Sequence, residues 1–305
     1  MASTYDRDIP AAEIMRLADT LRGRRVTVLS GAGLSTESGI PDYRGPTGSL
    51  RTRRPIQYKQ FIGSAEARRR YWARSAIGWP HMKRVDPNPG HYALAGLQQA
   101  GVIAEIVTQN VDGLQQAAGA ENVIELHGAL SEVMCLDCGR MESRDNLQDR
   151  MLEANPRWLS LTADIAPDGD AELPRELTAG FHVPTCLHCG GTLKPNLVFF
   201  GENVPRDRAH AAHAAVDRGE LLWVVGSSLT VWSGFRFAKR AAEDGKPVVI
   251  TNMGETRGDP LATLRVDGPL GRLLPRVAEE LAPGNLTPDL KNFGGNVQAA
   301  GSNGP

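Results

Sequence analysis

The chain has 305 residues, 41% of them hydrophobic and 23% charged, which is ordinary globular usage with room for a sizeable core. Its 34 basic and 35 acidic side chains leave a formal charge of −1, so no nucleic-acid partner and no anionic membrane is expected. The apolar runs fall far short of the roughly 20 residues needed to cross a bilayer, and Asp6, Asp8, Glu13 and Asp19 speak against a signal or acid-poor transit peptide, which makes a cytoplasmic location the expectation.

Ile14, Leu17, Ala18 and Leu21 recur at i, i+3, i+4 and i+7 and predict an amphipathic helix closed by Gly23. Val26 to Ser30 is a β-branched run that empties into Gly31-Ala32-Gly33, the context of a phosphate-cradling strand-to-helix turn. Further apolar runs at Ile103 to Val107, Val123 to Leu126, Leu197 to Phe200, Leu221 to Val225 and Val248 to Ile250 read as strands of a parallel sheet buried on both faces. Tyr92 to Gln99, Arg208 to Arg218, Phe235 to Glu243 and Leu270 to Leu281 carry the helical pattern between and after them. This alternation predicts an α/β fold, a doubly wound Rossmann-like domain built from 1–46, 91–128 and 192–282. Two segments interrupt it: 47–90, rich in Arg, aromatics and Pro, and 129–191, which holds every cysteine. Both are expected in a smaller zinc-binding and helical domain, and the Gly-, Asn- and Ser-rich 283–305 reads as a disordered tail.

Cys135-x-x-Cys138-Gly and Cys186-x-x-Cys189-Gly-Gly are two knuckles able to complete a tetrahedral four-thiolate zinc site. Disulfides suit a chain without an export signal poorly, and a redox role would explain one pair but not two. His182 and His188 flank the second knuckle, but four thiolates already fill four positions. A closed site of this kind holds structure and leaves no position for chemistry.

The segment Gly31-Ala32-Gly33-Leu34-Ser35-Thr36 departs from the dehydrogenase fingerprint, which places a third glycine where Thr36 stands and an acidic residue about 20 positions on. Around that distance stand Arg51, Arg53 and Arg54. A lone Gly-x-Gly is weak, because tight turns use glycine for steric reasons alone. The loop that follows, Ile40-Pro41-Asp42-Tyr43-Arg44, adds a carboxylate, an aromatic face and a guanidinium. Gln109-Asn110-Val111-Asp112 and His127 follow two predicted strands, and ligands of open α/β sheets bind at such carboxyl ends. A single histidine there is more often structural. In the company of two amides and a carboxylate it becomes a candidate general base, whereas His210 and His213 read as surface residues.

Taken in order, these motifs, with Lys194-Pro-Asn-Leu-Val-Phe-Phe-Gly-Glu202 and Gly226-Ser-Ser-Leu-Thr-Val231, resemble the motif set of the sirtuins from about residue 14 to 282. Arg70-Tyr-Trp-Ala-Arg74, Gly78-Trp-Pro80, Ala166-Pro-Asp-Gly-Asp170 and Asn252-Met-Gly-Glu-Thr-Arg257 are similar to its class II branch. The resemblance implies an enzyme that consumes NAD, carries one structural zinc ion and takes acyl groups from lysines of protein or peptide substrates, releasing nicotinamide and forming O-acyl-ADP-ribose. His127 would be the base at a ribose hydroxyl, Asp112 would bind the carboxamide, and Asn110 and Gln109 would orient ribose and water. Gly31, Ala32, Gly33, Ser35, Thr36, Ile40, Pro41, Asp42, Tyr43, Arg44 and Val111 would line the phosphate and ribose site. Gly226, Ser227, Ser228, Asn252, Met253, Gly254 and Leu270 would meet the adenosine end, and the peptide would lie as an added strand between Glu202 and Ser233-Gly234-Phe235. Gly113-Leu114-Gln115 and Gly226-Ser-Ser-Leu229 depart mildly from the family pattern. Tyr71-x-x-Arg74 admits two readings, an acyl-carboxylate clamp or an Arg-rich helix face. Mono-ADP-ribosyl transfer and a lipoamidase-type deacylation would use the same cleft, and a pure binding module would have no need of a base beside Asn110 and Asp112. Acyl preference, protein substrates and oligomeric state are not legible in the sequence.

Overall fold

The computed structural model describes residues 8–42, 55–160, 173 and 175–284. Its first helix, α1 (Ala11–Leu21), buries Ile14, Leu17, Ala18 and Leu21, the stripe its periodicity requires, and β1 (Val26–Ser30) is buried along its whole length. Next come α2 (Tyr58–Gly63), α3 (Ala65–Met82) and α4 (Pro89–Gln99). Asn88 caps α4 by accepting from the Gly90 and His91 amides, and Pro89 suits the first turn because its missing N–H would have had no helical partner. The chain continues through β2 (Ile103–Thr108), α5 (Leu114–Ala117), β3 (Ile124–Glu125), β4 (Gly128–Cys135), β5 (Met141–Ser143), α6 (Arg144–Ala154), α7 (Arg175–Thr178) and β6 (Leu193–Leu197). It ends with α8 (Arg206–Arg218), β7 (Leu221–Val225), α9 (Trp232–Glu243), β8 (Val248–Thr251), β9 (Leu264–Val266) and α10 (Leu270–Leu281).

Six strands form one parallel sheet in the order β3-β2-β1-β7-β8-β9. Ranked by position in the chain this is 3-2-1-4-5-6, the Rossmann order. On one face Leu17, Leu94, Leu273 and Leu274 from α1, α4 and α10 pack on Val28 and Trp223. On the other, Ala212 and Val216 of α8 and Phe237 and Ala241 of α9 cover Leu29 and Val224. Burial on both faces is why these strands read as continuous apolar runs and not as alternating ones.

A second, antiparallel sheet has the order β5-β4-β6. The run Leu197 to Phe200, expected in the parallel sheet, is not one of its strands. Leu197 ends β6 and pairs with Gly128 of β4, while Phe200 makes an isolated bridge to Gln57. Its apolar residues are buried by a separate core in which Phe61, Tyr71 and Trp72 meet Val133, Leu147, Leu193 and Phe199. The sequence reading also missed β9, where Arg265 interrupts a three-residue strand. No helix among the described residues is long and apolar enough to cross a membrane.

Candidate active site and metal centre

The chain leaves β1 toward β2 on one side and β7 toward β8 on the other, so the loops after these adjacent strands diverge and open a crevice at their carboxyl ends. The turns cross at backbone contact. The Gly31 amide donates to the Val225 carbonyl at 3.0 Å and that of Gly33 to Gly226 at 2.8 Å. A Cβ on Gly33 would stand 2.9 Å from the Gly226 carbonyl oxygen, and Gly226 itself has φ +62°, so no side chain fits on either side of the crossing. A cavity of about 760 Å³ opens over this point.

On its floor the Asn110 side-chain amide donates to the Gly31 carbonyl (3.1 Å) and to Ser35 Oγ (3.0 Å). The Ser35 hydroxyl donates to Asp112 Oδ2 at 2.8 Å, and the Leu114 amide donates to Oδ1 at 3.0 Å. Behind Ser35 lies His91, fully buried. Its Nδ1 accepts from the Asn88 amide at 3.2 Å, so its proton sits on Nε2, facing Ser35 Oγ across a long 3.4 Å contact. Burial holds the His91 pKa down to about 3, and the ring is neutral. Burial also pushes the Asp112 carboxyl up, opposed by the hydrogen bonds from Leu114 and Ser35. The sequence reading did not find His91. Its signal was the Asn88-Pro89-Gly90-His91 capping box, which says helix start before it says site.

His127 lies between β3 and β4 with its rim fixed from two sides. Nδ1 is 2.9 Å from the Gln109 carbonyl oxygen, which can only accept, so Nδ1 carries the proton and Nε2 keeps its lone pair. Nε2 lies 2.9 Å from Ser233 Oγ. Burial holds the His127 pKa below its ordinary value, the hydrogen bond to Gln109 opposes that, and the Arg236 and Arg208 charges add to it. Nε2 is therefore an unprotonated base facing the cavity near neutral pH. The Gln109 side-chain amide donates to the Ser30 carbonyl (3.1 Å) and Ser227 Oγ (2.8 Å), bracing the turns after β1 and β7.

Of the residues expected around NAD, Gly31, Ala32, Gly33, Ser35, Ile40, Pro41, Asp42, Gln109, Asn110, Val111, Asp112, Gly226, Ser227, Ser228, Asn252, Met253 and Gly254 line this cavity together with His127. Thr36 and Leu270 line a small recess beside it, next to Gly33 and Asn252. Tyr43 and Arg44 lie outside the described residues. The opposite wall was only partly foreseen. The Leu197 to Val204 segment forms it, with Ile56, Tyr71 and Met82, and Ser233 and Arg236 come from α9. Tyr71 packs edge-on against Phe61 and Phe199 and lines the cavity, whereas Arg74 of the same Tyr-x-x-Arg is not on the wall. Lys194, buried and ion-paired with Glu202 at 3.0 Å, holds the segment between them closed on itself.

Away from the cleft, all four cysteines are free thiols whose sulfurs lie within 4.8 Å of one another. Cys135 and Cys189 Sγ are 3.6 Å apart, and Cys138 and Cys186 Sγ 3.8 Å. Four thiolates about 2.3 Å from a tetrahedral zinc ion stand roughly 3.8 Å from one another. The donor set therefore fits zinc. The two knuckles repeat each other: the Gly139 amide donates to the Cys135 carbonyl and that of Gly190 to Cys186, each glycine at positive φ. Amides of Cys189 and His188 bring the Cys186 thiol down to about 7, while Cys189, lowered by the Gly191 amide, is driven up to about 12 by the sulfurs of Cys138 and Cys135. Four thiolates so close need a cation to share their charge.

The chain matches the model of the Sir2 family over residues 31–233. It is 51% identical over 280 residues to NAD-dependent protein deacetylase 1 of Streptomyces coelicolor, covering 91% of this chain and 94% of that protein. It is 48% identical over 257 residues to the human NAD-dependent protein lipoamidase sirtuin-4, mitochondrial, covering 83% and 82%. Among solved structures, Sir2 with a p53 peptide and NAD+ superposes with a TM-score of 0.71 at 32% identity over 88% of this chain and 98% of the other. Sir2Tm bound to a propionylated peptide gives 0.69 at 32% identity over 88% and 98%. The chain belongs to the Sir2 family.

Proposed function

We propose that this protein is an NAD-dependent protein lysine deacylase, working in the cleft over the β1/β7 switch point and passing the acyl group to ADP-ribose. The observation that carries the proposal is the meeting, in one cavity, of an unprotonated His127 Nε2 with the Asn110–Ser35–Asp112 network on a glycine-crossed phosphate turn. The names of the relatives, NAD-dependent deacetylases and a lipoamidase, support it.

NAD, consumed as a substrate, supplies an electrophilic ribose carbon and nicotinamide as leaving group. The amides of the Gly31–Gly33 turn, with Ile40, Pro41, Asp42, Tyr43 and Arg44, would hold the phosphates and ribose. Ser227, Ser228, Asn252, Met253 and Gly254 would meet the adenosine end, with Thr36 and Leu270 behind them. Asp112, fixed by Ser35 and Leu114, would bind the carboxamide, and Asn110 would orient the ribose. The acyl oxygen would bond to the ribose carbon as nicotinamide leaves with the electron pair of the broken bond. His127 Nε2 would then take the proton from a ribose hydroxyl as that oxygen attacks the acyl carbon, whose π pair moves onto the lysine nitrogen. Cys135, Cys138, Cys186 and Cys189 would hold one zinc ion with no part in the reaction. The apolar wall of Ile56, Tyr71, Met82 and Leu197, without Arg74, favours uncharged acyl groups over acidic ones. Four free thiols suit a reducing compartment, and we place the work in the cytoplasm.

Nicotinamide release from NAD in the presence of an acetyl-lysine peptide tests the assignment. Wild-type protein should release nicotinamide in step with peptide deacylation, and His127→Ala should bind NAD yet turn over about 10² to 10⁴ times more slowly. Full activity in His127→Ala would remove the base from its assigned role.

A further inference from the structure

His127 Nδ1 spends its proton on the Gln109 carbonyl, so what the base can do depends on whatever meets the Nε2 lone pair. Among the described residues the hydrogen-bond partner of Nε2 is Ser233 Oγ, at 2.9 Å. With Nδ1 protonated, the hydroxyl must donate and Nε2 accept. Ser233 stands in the first turn of α9, a helix seated hard against the Gln109 side chain: a Cβ on Gly234 would run into Gln109 Oε1. The two groups that grip the imidazole, the Gln109 carbonyl and the Ser233 hydroxyl, thus belong to segments that fix one another.

We propose that Ser233 is the positioning residue of the base, its hydroxyl setting the plane of the His127 ring and keeping the Nε2 lone pair aimed into the cavity until a substrate hydroxyl replaces it. This rests on the reading of His127 as the base. A donor on Nε2 stabilises the neutral ring and disfavours its protonated form. The charged groups around the ring act the same way: Arg236 on α9 and Arg208 on α8 both repel a proton from it. After β2 the ring meets the neutral Gln109 carbonyl, and after β6 the Val198 amide donates to the His127 carbonyl at 2.8 Å. When substrate arrives, the proton of its hydroxyl passes to Nε2, the electron pair of that O–H bond forms the new bond to the acyl carbon, and the π pair between that carbon and the lysine nitrogen moves onto the nitrogen. Ser233 keeps its own proton throughout.

Full-length wild type, Ser233→Ala and Ser233→Thr should be compared in two measurements: the pH profile of kcat/KM for NAD, and the NMR titration of His127 in the absence of substrate. Losing one hydrogen bond should lower kcat at neutral pH by about tenfold. In Ser233→Ala the acid limb and the NMR titration should both move up by about one pKa unit, and Ser233→Thr should restore both. If both stay at the wild-type pH in Ser233→Ala, the proposal is overturned. Retained turnover in His127→Ala would sink the deacylase base instead, and the NMR titration would still decide whether Ser233 holds the ring.

Discussion

The two sheets of this protein are held together by different physics. The parallel sheet is buried on both faces by apolar side chains, under α1, α4 and α10 on one side and α8 and α9 on the other. The β5-β4-β6 sheet has three strands packed on the small core around Phe61, Trp72 and Phe199, and its far end is four cysteine sulfurs placed to share one cation. The cleft lies where the two regions face each other: the polar network comes from the first, the Leu197 to Val204 wall from the second. Removing zinc should therefore break one region and spare the other.

That is the largest effect expected. Structural zinc sites carry an apparent binding free energy of about 10–16 kcal/mol, which is folding free energy for the segment they close. Metal analysis should find one zinc ion per chain. Chelation, or Cys186→Ser, should expose the 128–197 region to protease while the parallel sheet stays protected. Equal loss of protection in both regions would make them one cooperative unit.

Next is the Gly31–Gly33 crossing. Gly33→Ala presses a methyl group against the Gly226 carbonyl, and such overpacking costs about 1–3 kcal/mol. The crossing carries the turn proposed to hold the phosphates, so NAD affinity should fall about tenfold or more, read by calorimetry, while the zinc content stays unchanged. Unaltered affinity would mean that the turn yields more easily than its contacts suggest.

A smaller, pH-dependent effect isolates the buried core of the network. His91 has a folded pKa near 3 against an ordinary 6.5, so below pH 6.5 the unfolded chain takes up a proton that the folded chain refuses. Stability should drop on acidification by up to about 1.4 kcal/mol per pH unit from this group. Denaturant melts of wild type and His91→Gln between pH 6.5 and 5 should converge as pH falls, and parallel curves would mean that His91 does not titrate as its burial requires. The smallest effect belongs to Leu187, exposed at the tip of the second knuckle. Leu187→Ser should change stability by no more than about 0.5 kcal/mol, checked by the same melts.

The same contrast governs what the sequence disclosed. Val26 to Ser30 and Leu221 to Val225 are legible as strands because two-sided burial demands unbroken apolar runs, and the helices between them declare themselves by period. The cysteine knuckles are legible by spacing, since a tight turn must present two thiolates to one ion. Leu197 to Phe200 misleads because its apolar residues serve the small core and the cleft wall, and composition alone does not say which sheet an apolar run joins. His91, and the contact of Ser233 with the base, stay hidden for a related reason. A histidine in a capping box and a serine in the first turn of a helix have local explanations that suffice, and only tertiary contact brings one to Ser35 and the other to His127. The choice between the two readings of Tyr71-x-x-Arg74 likewise turns on which face of α3 meets the cavity, which the spacing does not say; Tyr71 lines it.

The central claim is that acyl groups leave lysine by transfer to ADP-ribose in this cleft. It is tested most directly by mass spectrometry of the protein incubated with NAD and one peptide carrying acetyl, lipoyl, long-chain acyl or succinyl lysine. The account predicts free nicotinamide and O-acyl-ADP-ribose in equal amounts, with the uncharged acyl groups ahead of succinyl. Intact peptides, or nicotinamide released with ADP-ribose attached to protein and no acylated product, would contradict it.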